Sequence, residues 1–251
     1  MRYRQVWPID VHLRPFYLAG IMKATKNPGA PMMLDRKQAH MELDIRRNAK
    51  YWDIPISLPK VKGSHMNVNI WENRPTGRSI QRVLNNDAAH IEYIVIRVPR
   101  DLFEDFKTIA FTKTSALAQR LLLAIQKQHP SSVVEHCAGL MWRRFFTEHK
   151  SIFDEEDLRQ VLKRLPDCNE DTLLKVAVTE EVKTALRTNT DEALAHGCFG
   201  APWIHVRRSA HEIEPFFGSD RLPLIGHLIG QEFQGPLIQY ASHEQNQTAA
   251  G

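Results

Sequence analysis

The sequence predicts an α/β protein, a small layer of strands and helix with a block of helices inserted into it. Three observations predict this. Near the start, Val6 to Arg14 alternates apolar and polar residues around Pro8, the period-two pattern of a strand. From Ser115 to Leu194 apolar residues recur at helical spacing, interrupted by caps and breakers. After Gly197 the chain returns to short β-rich runs and a last helical stretch. Strand, helical block, two strands and helix is the order of one layer interrupted by another.

Within the first part, Ile9 to Leu13 is the predicted strand, and Phe16 to Met22 continues apolar. Lys26 to Pro31 is a loop by its Asn, Pro and Gly content. Asp35 is placed to cap a helix through Tyr51, with Ala39, Leu43 and Ile45 facing inward and Arg46, Arg47 and Lys50 outward. Pro55 and Pro59 end that pattern. Residues 73–110 are the least coherent region, with a turn-like Arg74-Pro75-Thr76-Gly77 and a β-rich run from His90 to Val98.

The helical block begins at Ser115 and runs to Gln128, with Leu117, Leu121, Leu122 and Ile125 on one face and Pro130 as the stop. Further helices are predicted from Val133 to Glu148, Asp154 to Arg164 and Glu170 to Ala177. The next has Thr179 as its cap, Glu180 and Glu181 in the first turn, Val182, Leu186 and Leu194 inward, and Gly197 as its end. Trp142, Phe145 and Phe146 read as core or as a domain interface. The final helix is predicted from Ser219 to Glu232, packing through Leu222, Ile225, Leu228 and Ile229.

Two motifs late in the chain carry the chemistry. Cys198-Phe199-Gly200-Ala201-Pro202-Trp203 feeds an Ala-Pro step straight into a strand, a setting for a cis peptide. Phe217-Gly218-Ser219-Asp220-Arg221 opens a helix with a hydroxyl, a carboxylate and unpaired backbone N–H groups together. Read locally, each is also an ordinary turn or helix cap.

Composition narrows the function classes. The 251 residues, 43% hydrophobic and 25% charged, suit a globular chain with a sizeable core. A formal charge of +4 is mild, and the pairs Arg46-Arg47, Arg143-Arg144 and Arg207-Arg208 are scattered, which argues against nucleic acid as a partner. Cys137, Cys168 and Cys198 form no Cys-x-x-Cys pair, so neither a dithiol oxidoreductase nor a metal site is expected. His12, His136, His196 and His227 stand at no ligand-like spacing. No apolar run reaches membrane-spanning length, so no membrane partner is expected, and neither a signal peptide nor a peroxisomal tripeptide is visible.

Four stretches together resemble the kappa class of glutathione transferases. They are Leu13-Arg14-Pro15 with Leu18-Ala19-Gly20-Ile21-Met22-Lys23 and Asn27; Trp52-x-Ile54-Pro55-x-x-x-Pro59; Gly197-x-Phe199-Gly200-x-Pro202; and Phe217 to Arg221 with Gly235-Pro236. The similarity covers residues 2–72 and 111–237. That class is related to bacterial disulfide oxidoreductases and to 2-hydroxychromene-2-carboxylate isomerases.

The resemblance implies an α/β, thioredoxin-like fold with an inserted all-helical domain, N-terminally truncated relative to the class. Residues 1–30 and 197–237 would be the two halves of the thioredoxin-like domain, 31–196 the helical insertion with the atypical segment 74–110, and 238–251 a tail. It also implies glutathione as co-substrate and no metal. Ala201 and Pro202 would meet the cysteinyl part, Ser219 and Asp220 the γ-glutamyl end, and Asn27 the tripeptide from its loop. A free amine meeting Asp220 and a carboxylate meeting a helix start are physically sound pairings.

The class also has a Ser-Pro-Tyr-Ser type motif whose first serine bonds the glutathione sulfur. This sequence has no such motif, Arg2-Tyr3-Arg4 already matching the end of the helix that follows it, so no catalytic residue is assigned. Residues 74–110 match nothing in the class; they read either as a wrongly joined gene model or as a variant in which Ile91 to Val98 pairs beside Ile9 to Leu13.

The implied function is conjugation of glutathione to small electrophiles, a detoxification reaction. The alternatives are a catalytically inert glutathione-binding or dimerising relative and a glutathione-dependent isomerase. By resemblance such proteins are homodimers in mitochondria or peroxisomes; with no targeting signal in view, the cytoplasm is the other expectation.

Overall fold

A computed structural model describes residues 2–27, 35–56, 114–209 and 212–240. A short 3-10 turn, Arg2–Gln5, opens the chain, followed by α1 (Leu18–Ala24) and α2 (Asp35–Trp52). Five helices form the central block: α3 (Ala116–Gln128), α4 (Ser131–Phe146), α5 (Glu155–Leu162), α6 (Glu170–Ala177) and α7 (Glu180–Ala195). Strands β1 (Trp203–Arg207) and β2 (Ile213–Phe217) follow, then the 3-10 turn Ser219–Arg221, α8 (Leu222–Leu228) and the last turn Ile238–Tyr240.

The helical block forms where the sequence places its caps. Asn169 Oδ1 accepts from the Thr172 amide at 2.9 Å at the start of α6, and the Thr179 hydroxyl accepts from the Val182 amide at 3.4 Å at the start of α7. Acidic residues occupy the first turns of α5, α6 and α7, where they meet the positive end of the helix dipole. The buried stripes converge on one core in which Leu121, Ile125, Leu140, Leu158, Leu162 and Leu173 are fully enclosed. Each such side chain contributes about 1.5–3 kcal/mol on burial. Arg144 ties α4 to the approach to α5, donating to the Ser151 carbonyl at 2.7 Å and to Asp157 Oδ1 at 3.1 Å.

A second, smaller core brings the two ends of the chain together. Tyr3, Trp7, Ile225 and Leu237 are buried with Trp52, Phe216 and Phe233 packed around them. The Tyr3 hydroxyl donates to the Gly235 carbonyl at 2.6 Å, and Trp7 Nε1 to the Glu232 carbonyl at 3.0 Å. Arg2 joins three segments through the carbonyls of Trp52, Asp53 and Pro236. The strands β1 and β2 run antiparallel, Trp203 opposite Phe217 and Arg207 opposite Ile213. Among the described residues this is a two-stranded sheet.

Several expectations are corrected. Ile9 to Leu13 is not a strand: it has no hydrogen-bonded partner strand among the described residues, and its pattern serves two cores instead. Ile9 packs against the small core and Leu13 against the helical one. Carbonyls here are taken by side chains, Val11 by Arg4 and Leu13 by Gln126, rather than by a ladder. On α2, Leu43 is 41% exposed rather than inward. Trp142 is 56% exposed, so it belongs to no core, while Phe145 packs edge-on against Phe146 and Phe153. The last helix stops at Leu228, because the chain turns at Gly230 with φ of 68° and the Gln231 amide caps back on the Gly226 carbonyl. His12 Nε2 lies 3.7 Å from Asp10 Oδ2 on an exposed stretch. The predicted β-rich run from His90 to Val98 lies outside the described residues.

Candidate functional site

The site is built where α7 hands the chain to β1. Gly197, at φ of 83°, ends the helix, and Cys198 then turns fully inward, its thiol donating to the Gly200 carbonyl at 3.3 Å. That turn presents the Phe199 carbonyl to Asn27, whose Nδ2 donates to it at 2.7 Å. Asn27 reaches this position because α1 ends three residues earlier and the Asn27 amide caps the Met22 carbonyl at 3.0 Å. The Ala201–Pro202 peptide bond is cis.

The second loop is joined to the first by backbone. The Gly218 amide donates to the Pro202 carbonyl at 3.1 Å, one step beyond the Trp203–Phe217 pair. The Phe199 and Phe217 rings lie 4.6 Å apart between centroids, and Phe199 meets Trp203 at 5.6 Å. Gly200 is required by this packing: a Cβ there would stand 2.8 Å from the Phe217 ring. Gly218 is required by its backbone conformation. Its φ of 104° and ψ of 148° suit glycine alone, and a Cβ would stand 2.5 Å from Asp220 Oδ1.

Ser219 and Asp220 follow as an exposed single turn leading into α8. Arg221 holds that turn, donating from Nε to the Phe217 carbonyl at 3.3 Å while its NH2 lies 3.5 Å from Asp220 Oδ2. Ala201 is exposed, and among the described residues none of the loop's backbone hydrogen bonds uses its amide or carbonyl. That leaves one residue of open backbone able to pair with another peptide.

The cysteines are not the reactive groups of this arrangement. Burial pushes the Cys198 thiol up, against the opposing effect of its bond to Gly200. Cys137, enclosed in the helical core beside Cys168, is pushed up to about 12. Nearby, His205 accepts from Trp203 Nε1 at 2.8 Å and stacks edge-on with His196 at 4.7 Å. Burial and the His196 ring lower its pKa, with Glu192 pulling the other way. Among the described residues no cluster of three metal-ligating side chains occurs, and no helix is long and apolar enough to cross a membrane.

All five residues singled out in the sequence, Asn27, Ala201, Pro202, Ser219 and Asp220, therefore stand on three loops tied by two hydrogen bonds. The role of Asn27 is richer than the sequence suggested, since its amide braces a loop carbonyl. Gly200, Phe217 and Arg221 belong to the two motifs already quoted, but the sequence assigned them no role in holding the loops together. The signal was present as Phe-Gly steps repeated at 199–200 and 217–218, but their pairing is visible only in three dimensions.

Comparison with known proteins accords with this geometry. The sequence pattern of the DSBA-like thioredoxin domain family matches residues 1–73 and 67–230. The chain is 30% identical over 237 residues to glutathione S-transferase kappa 2 of Caenorhabditis elegans, spanning 94% of this chain and 85% of that protein. It is 26% identical over 238 residues to human glutathione S-transferase kappa 1, spanning 94% and 84%. The corresponding rat protein is 25% identical over 240 residues, spanning 94% and 84%.

Proposed function

The chain belongs to the kappa class of glutathione transferases, built on the DSBA-like thioredoxin fold, and we propose that it binds glutathione on the paired loops and joins its sulfur to a small electrophile. The observation that carries the reading is the juxtaposition of the open Ala201 backbone with the Ser219–Asp220 turn, one hydrogen bond apart through Gly218 and Pro202. A γ-glutamyl peptide has complementary groups. Its cysteinyl amide and carbonyl pair with Ala201, its α-carboxylate meets the Ser219 turn, and its free amine meets Asp220. Asn27 holds the Phe199 carbonyl and so fixes the approach to Ala201.

In the reaction the bound thiol loses its proton to solvent. The thiolate sulfur forms a bond to the electrophilic carbon, and any leaving group departs with its bonding pair. Glutathione's thiol has an ordinary pKa of about 8.5, so each unit of lowering is worth about 1.4 kcal/mol of thiolate stabilisation. Pairing of two chains, removal of toxic electrophiles as the purpose, and residence in mitochondria or peroxisomes belong to the same reading. They rest on resemblance to the class.

Isothermal titration with glutathione tests the binding step, and assay with 1-chloro-2,4-dinitrobenzene tests the chemistry. Binding that Asp220→Ala weakens by about tenfold or more, with chloride release at a rate above the uncatalysed one, is the expected result. Binding without turnover would favour an inert glutathione-binding relative. Folded protein with no glutathione binding would overturn the reading.

A further inference from the structure

Away from the paired loops, α1, the first turn of α3 and one face of α7 line an open cavity of about 510 Å³. That volume falls within the range of about 300–1,000 Å³ typical of small-molecule sites. Its two ends differ in character. Arg120, Lys183 and Arg187 stand at one end, and Ala24 and Leu194 at the other. Arg187 and Leu194 are seven residues apart on α7, about 10 Å along its axis.

The three cations are not equivalent. Lys183 Nζ lies 2.7 Å from Glu180 Oε1. Arg187 donates to the Thr184 hydroxyl at 3.0 Å and stands 4.0 Å from Glu180 Oε2. Arg120 makes no ion pair among the described residues, and its Nε is shut away from solvent without an acceptor. Glu180 feels its charge without bonding to it. That Nε is out of a ligand's reach, but the terminal nitrogens of this half-buried guanidinium have no ion-pair partner among the described residues and are free to take a carboxylate or sulfonate.

The remaining walls sharpen the preference. The Thr190 hydroxyl has no donor to spare, accepting from the Tyr17 amide at 3.0 Å and donating its proton to the Leu186 carbonyl at 2.7 Å. Gly20 faces α7 across this wall, a Cβ there standing 3.6 Å from the Thr190 methyl, and it leaves room for the Tyr17 ring, which a Cβ would meet at 3.0 Å. Asp191, between the two ends, repels a negative group from the Leu194 side and leaves the Arg120 end as the place for it.

We propose that this cavity binds an amphipathic organic anion, with its charged head at Arg120 and Arg187 and an apolar body along Leu186 to Ala24 and Leu194. Asn27, Ala201, Ser219 and Asp220 do not line it, so the site stands apart from the glutathione reading.

The test titrates the full chain with 8-anilinonaphthalene-1-sulfonate, read by fluorescence, and displaces it with decanoate. One dye per chain is expected, displaced by decanoate and not by glutathione. Arg120→Met should weaken it about tenfold, the loss of one charge-assisted contact. Ala24→Phe, which fills the apolar end without touching charge, should weaken it as well. Asp220→Ala should leave it unchanged. Dye binding that survives Arg120→Met in a folded protein, or that glutathione displaces, would overturn the proposal. So would displacement by decanol as effective as by decanoate.

Discussion

Asn27 donates its side-chain amide to the Phe199 carbonyl across 2.7 Å, tying the loop after α1 to the loop before β1 over 172 positions of sequence. The bond fixes the direction of the peptide entering the cis Ala201–Pro202 step. Asn27→Ala removes the donor and leaves that carbonyl to water. We expect glutathione affinity to fall about three- to tenfold, in line with about 0.5–1.5 kcal/mol for a neutral hydrogen bond. Asn27→Asp should be worse, because a carboxylate there can only repel the Phe199 oxygen. Calorimetric titration of the two variants decides it; equal affinity in all three proteins would remove Asn27 from the site.

Gly218 carries two constraints at once, a left-handed φ of 104° and a carboxylate oxygen 2.5 Å from where a side chain would begin. Gly218→Ala is expected to cost about 1–3 kcal/mol in backbone strain alone and to push Asp220 aside. Thermal unfolding should show a lower midpoint, and glutathione binding should weaken beyond what the melting change explains. An unchanged midpoint would mean the turn can adopt another conformation without loss.

The cysteines should react in an order set by enclosure. Cys168 is partly exposed, whereas Cys137 and Cys198 are fully buried; burial pushes all three thiols up, so access sets the order. With iodoacetamide near pH 8, Cys168 should be alkylated first, and the other two only under denaturant. Mass mapping of the modified peptides reads the order directly. Early labelling of Cys198 would show that the turn into the cis peptide opens readily.

Acid should weaken the fold before the carboxylates begin to protonate. On α4, burial and the charges of Arg164 and Arg143 lower the pKa of His136, and its Nε2 is buried without a partner among the described residues. Burial and His196 lower that of His205. A histidine with a depressed folded pKa takes its proton first in the unfolded chain. The stability it supports is therefore full above about pH 6.5 and falls as pH drops below that value. Urea melts between about pH 7.5 and 5.5 should show this loss, and the pair His136→Gln and His205→Gln should flatten it. A profile equally steep in the double variant would place the proton uptake elsewhere. Below that window a further loss is expected from Asp157. Burial raises its pKa, but hydrogen bonds from Ser151 and Arg144 outweigh this and hold it low in the fold.

The helical block was legible from the sequence because its signals are local. Caps such as Asn169 and Thr179, acids in first turns, and leucines at helical spacing act within a few residues, and the helices form where those signals stand. The kappa-class motifs were legible for the same reason, since Phe199 to Pro202 and Phe217 to Arg221 are contiguous runs. Tertiary structure decided what depends on a partner. Ile9 to Leu13 alternates like a strand, yet alternation marks only which side chains face a core, and a strand needs a neighbouring ladder. Leu43 follows the helical period of its own segment and still faces outward, because burial is set by what packs against α2. The bracing of Phe199 by Asn27, the approach of Phe217 to Gly200, and the unpaired Arg120 in its cavity all join residues far apart in the chain. A sequence supplies the groups for such contacts; only the folded path of the backbone brings them within a few ångströms.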